Sequence, residues 1–224
     1  MVLYMDKSKR SRHVALMAWV VVSALTFLTA PPVMADSPTD SIKGVIDEVM
    51  GILRNPAYQS RAQKPARIQL IEKVATRILD YPEMARLSLG ETWDTLDKTR
   101  QDEFVRLFGE LLKTSYVDRL NELVNARVEY PRETLKRGVS LKGEVSLKGE
   151  AAEVSAVILR PNDRIPVRFL MHRGPQGWMI YDIIIEDVSL MGNFNTQFSR
   201  MIKVSSYRGL VKCLQDKAQE NCLR

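Results

Sequence analysis

The sequence predicts an α+β fold in which helices flank an antiparallel sheet, and two observations on periodicity support this fold class. Apolar residues recur at helical spacing from about residue 40 to residue 123, and again after Ser189. Between these two regions, from residue 127 to residue 185, apolar residues recur at every second position. The length of 224 residues corresponds to one domain, with two small domains as the alternative.

The N-terminal region is typical of an export signal. Basic residues at positions 7–12 precede an uncharged apolar run of 17 residues at 14–30, which a Pro-Pro pair ends. The bond after Ala35 is a suitable site for signal peptidase, because the residues at positions −3 and −1 relative to that bond have small side chains. We therefore expect residues 1–35 to be a cleaved signal peptide and residues 36–224 to form a single mature domain. The alternative is an uncleaved membrane anchor, because 17 apolar residues lie at the lower limit for a spanning helix.

Apolar stripes predict four helices before residue 125. Asp40 is a suitable N-cap for the first helix. Asp80-Tyr81-Pro82-Glu83 is a capping box that opens the third helix, which ends at Gly90. The fourth helix is the longest, and Phe104 and Phe108 lie on its apolar stripe. The predicted helices cover residues 40–55, 64–79, 80–90 and 97–123.

Alternating apolar residues then predict four strands, and turn residues connect the last three into an antiparallel meander. Pro166 indicates that the third strand lies near an edge of the sheet. After Ser189 the helical spacing returns, and a final helix is expected around Leu210. The predicted strands are Arg127–Tyr130, Ala152–Leu159, Arg164–Met171 and Trp178–Ile185.

Two local features stand apart from this pattern. The six residues VSLKGE occur twice in tandem at 139–150, and we expect this duplication to lengthen a loop or hairpin. Cys213 and Cys222 are the two cysteines of the chain, and in an oxidising compartment they either form a disulfide or stay as two free thiols. Neither belongs to a CxxC motif, so redox or zinc chemistry is not predicted.

The composition of the mature chain argues against most catalytic and nucleic-acid-binding functions. Without residues 1–35 the chain keeps 29 basic and 26 acidic residues, and the two signs are interleaved. It has one histidine, His172, and none of the common hydrolase, P-loop, metalloprotease or dinucleotide-binding motifs. We therefore predict no catalytic residue, no metal site, no cofactor and no nucleic-acid partner.

The fourth predicted strand is apolar on both faces. Trp178, Ile180 and Ile184 lie on one face, where an antiparallel strand with a wet side would alternate with polar residues. Both faces should therefore be covered, by a second layer of helices or by the wall of a ligand cavity. Asp182 falls on the same face. In an apolar pocket its carboxyl could act as a base, as in steroid isomerases, whereas the alternative is an ion pair with an arginine such as Arg168.

A resemblance to a known family covers most of the mature chain. The stretch from Asp80 to Trp93, DYPEMARLSLGETW, resembles the D-(F/Y)-x-x-M-A-x-x-x-L-G-x-x-W signature of the MlaC family, the toluene-tolerance proteins, which bind phospholipid in the periplasm. Asp187, where the family has glycine, and Asn195, where it commonly has arginine, are departures. The similarity continues in order at Ile165–Val167, Gly177-Trp178, Tyr181-Asp182, Ile185–Leu190 and Asn193–Phe198.

The resemblance implies a cone-like fold of NTF2-like character, in which helices and a curved antiparallel sheet enclose an apolar cavity for phospholipid acyl chains. It implies a periplasmic carrier that is not an enzyme and that maintains outer-membrane lipid asymmetry. Its implied partners are an outer-membrane lipoprotein–porin complex and an inner-membrane ABC transporter complex with an MCE-domain protein. Two other functions stay open, namely an isomerase-like enzyme that uses Asp182 and a periplasmic adaptor that binds no ligand.

Within this implied fold, apolar residues on the helical stripes and sheet faces should line the cavity. Three arginines should bind the lipid head group or dock onto acidic partners, because the guanidinium fork suits phosphate and carboxylate. These arginines are Arg86, Arg168 and Arg200. The expected cavity residues are Met84, Leu87, Phe108, Leu112, Val167, Phe169, Trp178, Ile180 and Ile184.

Overall fold

The computed structural model describes residues 37–116, 120, 123–137 and 150–216. The predicted signal peptide, residues 139–149 of the repeat, and Cys222 lie outside the described residues. The helices are α1 (Pro38–Arg54), α2 (Lys64–Ala75), α3 (Tyr81–Leu89), α4 (Glu91–Asp94), α5 (Lys98–Tyr116) and α6 (Leu190–Gln215). The strands are β1 (Arg127–Arg137), β2 (Glu150–Arg160), β3 (Asp163–Gly174), β4 (Gly177–Ile185) and β5 (Val188–Ser189).

The starts of the helices follow their capping residues. Ser37 caps α1, where its Oγ accepts a hydrogen bond from the Asp40 backbone N–H at 3.0 Å, so the predicted cap at Asp40 is wrong by three residues. Pro38 at the first helical position reinforces this start. Asp80 caps α3 as predicted, with its Oδ1 3.0 Å from the Glu83 N–H. Gly90, with φ of +55°, ends α3.

Helix α2 ends at Ala75, four residues earlier than the predicted Leu79. The chain leaves the helix there because the next residues pair with the sheet. The Ile180 N–H donates to the Ile78 carbonyl at 2.7 Å, and the Asp80 N–H donates to the Ile180 carbonyl at 2.8 Å. This parallel bridge places the start of α3 against β4.

The five strands form one antiparallel sheet in the order β1-β2-β3-β4-β5, which confirms the predicted α+β class and the meander of the last three long strands. The edge position predicted for β3 is wrong, since β3 lies between β2 and β4. The nitrogen and the carbonyl of a residue in an antiparallel strand point to the same neighbouring strand, and those of Pro166 point toward β4, where its carbonyl accepts the Glu186 N–H at 3.0 Å. The regular ladder between β3 and β4 ends at this point, so the missing N–H of Pro166 interrupts no pairing within it.

A β-bulge in β4 reverses the alternation of its side chains. Leu170 pairs with Asp182, but the next residue of β3, Met171, pairs with Ile180, so Tyr181 has no opposite partner. Beyond the bulge, Ile183 pairs with Phe169. The face that carries Ile180 therefore continues with Ile183 rather than with Ile184.

The hairpin between β4 and β5 has two non-glycine residues at positive φ. Glu186 has φ of +48° and Asp187 has φ of +64°, a backbone region that costs an L-amino acid about 1–2 kcal/mol. Asp187 is the position at which the MlaC resemblance leads one to expect glycine. Its carboxylate instead lies 3.1 Å from Arg168.

Replacing Glu186 with glycine should raise the free energy of unfolding by about 0.5–1 kcal/mol, because glycine adopts a positive φ without a steric penalty. The exposed Glu186 side chain can be removed without opening the core. Urea denaturation of the purified protein measures the change. Glu186→Ala is the matched control, since alanine keeps the Cβ and should give no stabilisation. Equal stability of the two variants would contradict the assigned strain.

The apolar core consists of separate packed clusters. The largest lies among α3, α5 and α6 and contains four phenylalanines whose neighbouring ring centroids are 5.3–6.3 Å apart. A second cluster joins Ile42 of α1 to the sheet residues Val154, Met171 and Trp178. Helix α6 bends at Ser206, where φ is +67°, in agreement with the two helices predicted after Ser189. Within the described ranges, no helix is both long and apolar enough to cross a membrane.

Candidate functional site

An apolar cavity of about 340 Å³ lies between the sheet and the helices α1, α2 and α5. Twenty-six described residues line it, and of these only Glu72 and Lys113 are charged. This volume is within the range of pockets that bind small organic molecules, which are likewise lined mainly by hydrophobic side chains. The cavity therefore suits a ligand with a hydrocarbon body.

The helical periodicity of α1 and the strand periodicity of the sheet explain which of their residues line the cavity. Helix α1 contributes the residues of its apolar stripe, which recur every three or four positions. The sheet contributes alternate residues of β3 and β4, and the register places Val167 opposite Ile185 and Phe169 opposite Ile183. The lining residues of α1 are Ile42, Val45, Ile46, Val49, Met50 and Leu53.

Five of the nine predicted cavity residues are in the lining, namely Met84, Leu112, Val167, Phe169 and Ile180. They come from α3, α5, β3 and β4, so the fold brings together residues that are up to 96 positions apart in the chain. Their contact with a lipid stays a prediction.

The other four predicted residues lie elsewhere. Phe108 is fully buried in the cluster among α3, α5 and α6, and Leu87 packs against that cluster. Trp178 packs in the cluster with Ile42 and Met171. The bulge turns Ile184 to the opposite face, where it pairs with Arg168.

Sequence reasoning missed the contribution of α1 and α2 to the cavity. The apolar stripe of α1 is visible in the sequence, but a stripe that covers a packed core has the same spacing as one that covers a ligand. The same holds for Ile71 and Ala75 of α2, which also line the cavity. Strict alternation along β4 would place Ile183 and Ile185 on the face opposite Ile180, whereas they line the cavity with it, and no residue type in that strand signals the bulge.

The three predicted arginines do not line the cavity. Arg86 donates two hydrogen bonds to Glu83, at 2.8 and 2.7 Å, which raise the pKa of its guanidinium. Arg168 is 3.1 Å from Asp187 and 3.5 Å from Glu153. Arg200 is exposed on α6. Their roles in binding a head group or a partner stay predictions.

Asp182 organises the start of α6 and does not face the cavity. Its buried carboxylate accepts hydrogen bonds from the Ser189 hydroxyl at 2.6 Å, the Met191 N–H at 3.0 Å and the Ile183 N–H at 2.8 Å. The predicted ion pair with Arg168 is wrong, because Arg168 bonds to other acids. Three donors occupy the two carboxylate oxygens, which is the environment of a structural acceptor rather than that of an exposed base.

His172 and Asp80 join the sheet to helix α3. The His172 Nε2 lies 2.7 Å from the Asp80 Oδ2, and both side chains are largely buried. Burial acts to raise the pKa of Asp80, but the hydrogen bonds from His172 and from the Glu83 N–H, together with the His172 charge, outweigh it, so the pKa lies below its usual value. His172 thus has a structural partner.

The described residues contain no cluster of three or more His, Cys, Asp or Glu side chains that could hold a metal ion. Cys213 is half-buried near the end of α6 and is not a free thiol. Its predicted partner Cys222 lies outside the described part of the chain, so their pairing stays a prediction.

The charged residues of the cavity lie at one place on its rim. The Lys113 ammonium is 2.8 Å from Glu110 and 3.5 Å from Glu72, and the hydrogen bond to Glu110 raises its pKa. A second, more open hollow of about 600 Å³ shares Glu72 and Lys113 with the apolar cavity, so the two spaces adjoin. The hollow is otherwise lined by Arg61, Lys64, Pro65, Ile68 and Gln69.

Comparisons with known proteins agree with this architecture. A phospholipid-binding protein from Ralstonia solanacearum, solved in complex with a phospholipid, is similar in structure with a TM-score of 0.64 and 21% sequence identity. The match covers 80% of this chain and 96% of that one, and it shows that the two share a fold. Comparison with curated proteins gives no match. The family model described as MlaC protein matches residues 43–216, and the chain therefore belongs to the MlaC family.

Proposed function

We propose that this protein binds a phospholipid by enclosing its acyl chains in the apolar cavity between α1, α2, α5 and the sheet. The observation that carries the proposal is the composition of that cavity, in which 24 of the 26 lining residues are uncharged. Membership of the MlaC family and the phospholipid bound to the structural neighbour support it. The protein acts as a binding protein rather than as an enzyme.

The energetics of extraction favour an enclosed site. Each methylene transferred from water to an apolar environment contributes about 0.8 kcal/mol, so two chains of ~16 carbons contribute on the order of 25 kcal/mol. A groove that left half of that surface in water would bind the lipid far less tightly than a bilayer does. A carrier must therefore surround the chains with apolar side chains on all sides.

The carrier moves its lipid through the periplasm, after export by the N-terminal signal and cleavage at Ala35. Its partners are an outer-membrane lipoprotein–porin complex and an inner-membrane ABC transporter complex with an MCE-domain protein, and the transfer maintains the lipid asymmetry of the outer membrane. The sequence has no P-loop with which to hydrolyse ATP. The partners therefore set the direction of transport.

Native mass spectrometry of the protein purified from the periplasm, followed by organic extraction, tests the proposal. We expect a mass increment equal to a phospholipid and recovery of that lipid in the extract. Incubation of the loaded protein with membranes that carry either partner complex should then transfer the lipid. A protein that emerges without lipid, and takes none up from vesicles, would instead be the adaptor that binds no ligand.

A further inference from the structure

The hollow beside the cavity mouth has an excess of positive charge. Arg61, Lys64 and Lys113 contribute three cations to its lining, against the carboxylate of Glu72 and that of Glu110, which lies 2.8 Å from Lys113. Lys113 and Glu72 also belong to the apolar cavity, where they are the charged members of the lining. An anion attached to a ligand in the cavity would therefore meet these cations at the boundary between the two spaces.

We propose that this hollow is the subsite for the phosphodiester of the bound lipid, with Lys113 as its principal cation and Arg61 as its second. The inference rests on the proposed function and deepens it. A phosphate is linked to both acyl chains through one glycerol unit, so it must lie at the mouth of the space that holds the chains. Placing its charge against the rest of the lining would cost several kcal/mol, because no other lining side chain is charged.

The hydrogen-bonding capacity of Lys113 fits this role. An ammonium group has three N–H donors, and Glu110 and Glu72 accept two of them. The third remains for a phosphate oxygen. The two carboxylates also hold the Lys113 side chain at the rim, which lowers the entropic cost of ordering it on the ligand.

Arg61 adds a second kind of donor to the lining of the hollow. It is exposed in the short 3₁₀ turn Arg61–Gln63, and its guanidinium can bind two phosphate oxygens at once. Arg86 and Arg168, by contrast, do not line either space. The cations of the head-group site are thus Lys113 and Arg61 rather than the arginines that the sequence suggested.

Binding measurements with short-chain lipids test the subsite. Dihexanoyl phosphatidylglycerol and dihexanoylglycerol have the same chains, but only the first has a phosphate, and inorganic phosphate serves as the third probe. We expect Lys113→Met to weaken binding of the phospholipid about 10- to 100-fold, and Arg61→Gln to weaken it further in the double variant. Binding of dihexanoylglycerol should not change, because methionine keeps an apolar chain of similar length.

Lys98→Met is the matched control, since Lys98 is a lysine of the same helix that is paired with Asp102 and lies outside both spaces. An equal loss for both lipids in Lys113→Met, or a loss for neither, would overturn the subsite while leaving the lipid-binding function intact. If inorganic phosphate bound as tightly as the phospholipid, and if this binding depended on Lys113, the hollow would be a site for free phosphate. That result would also overturn the proposed phosphodiester subsite. Binding of neither lipid by the unmodified protein would overturn the proposed function itself.

Discussion

Replacing Ile183 with aspartate is expected to strip the purified protein of phospholipid, whereas the same replacement at the neighbouring Ile184 should leave the lipid content unchanged. Ile183 lines the apolar cavity and Ile184 lies on the opposite face of the sheet. A carboxylate at position 183 would face the acyl chains, where an unpaired charge costs several kcal/mol. At position 184 the new carboxylate would be opposite Arg168 and would stay hydrated.

Native mass spectrometry of the two variants, purified in parallel, measures the lipid content. Thermal unfolding of both shows whether each is folded, and Phe169→Asp provides a second variant of the cavity wall on the adjacent strand. Loss of lipid in Ile184→Asp with retention in Ile183→Asp would mean that β4 alternates without a bulge. Full retention in Ile183→Asp and Phe169→Asp would mean that the lipid is held somewhere other than in this cavity.

Replacing Asp80 with alanine should lower the free energy of unfolding by about 3 kcal/mol at pH 7. The change removes the N-cap of α3, which contributes about 1 kcal/mol, and a charge-assisted hydrogen bond to His172, which contributes about 1.5–3 kcal/mol. Asp97→Ala is the matched control, since Asp97 is exposed, has no histidine partner, and accepts the Arg100 N–H at 2.9 Å. It should lose about 1 kcal/mol. A loss of the same size in both variants would leave His172 without a stabilising role.

The contribution of Asp80 should also depend on pH. Because the folded pKa of Asp80 lies below its unfolded value of about 3.9, the stabilisation is present above that value and is lost as the pH falls through the folded pKa. Asp80→Asn keeps a capping side chain but removes the titration. The gap in stability between the unmodified protein and Asp80→Asn, measured by urea denaturation, should therefore be widest at pH 6 and should shrink progressively as the pH falls below about 4. A constant gap across this range would contradict the lowered pKa.

Local sequence signals predicted the elements of the fold well where a single residue type determines the geometry. Asp80 and Gly90 bound α3 as expected, because a capping carboxylate and a glycine at positive φ act on their immediate neighbours. The end of α2 was not predictable in this way. Residues 78–80 could continue the helix by pattern, but they pair with Ile180, which is about 100 positions away.

The lining of the cavity was predictable only where the strand register stays regular. Val167 and Phe169 lie together in the cavity wall because β3 alternates without interruption up to Leu170. Tyr181 inserts one residue into β4, and nothing in its chemistry distinguishes a bulged tyrosine from a paired one. A shift of one residue moves every later side chain to the other face, which is why Ile184 was predicted in place of Ile183.

The division between the phenylalanine cluster of α3, α5 and α6 and the cavity beside α1 and α2 bears on how such a protein can diversify. Natural proteins lie a few kcal/mol above the threshold for folding, so most changes to a packed core are removed by selection. Here the four packed phenylalanine rings, none of which lines the cavity, supply stability, while a largely different set of side chains shapes the space for the ligand. Because contributions from separated sites are nearly additive, mutations in the cavity wall can alter which acyl chains fit without exhausting the stability of the fold. Ligand preference is thus free to evolve faster than the scaffold that carries it.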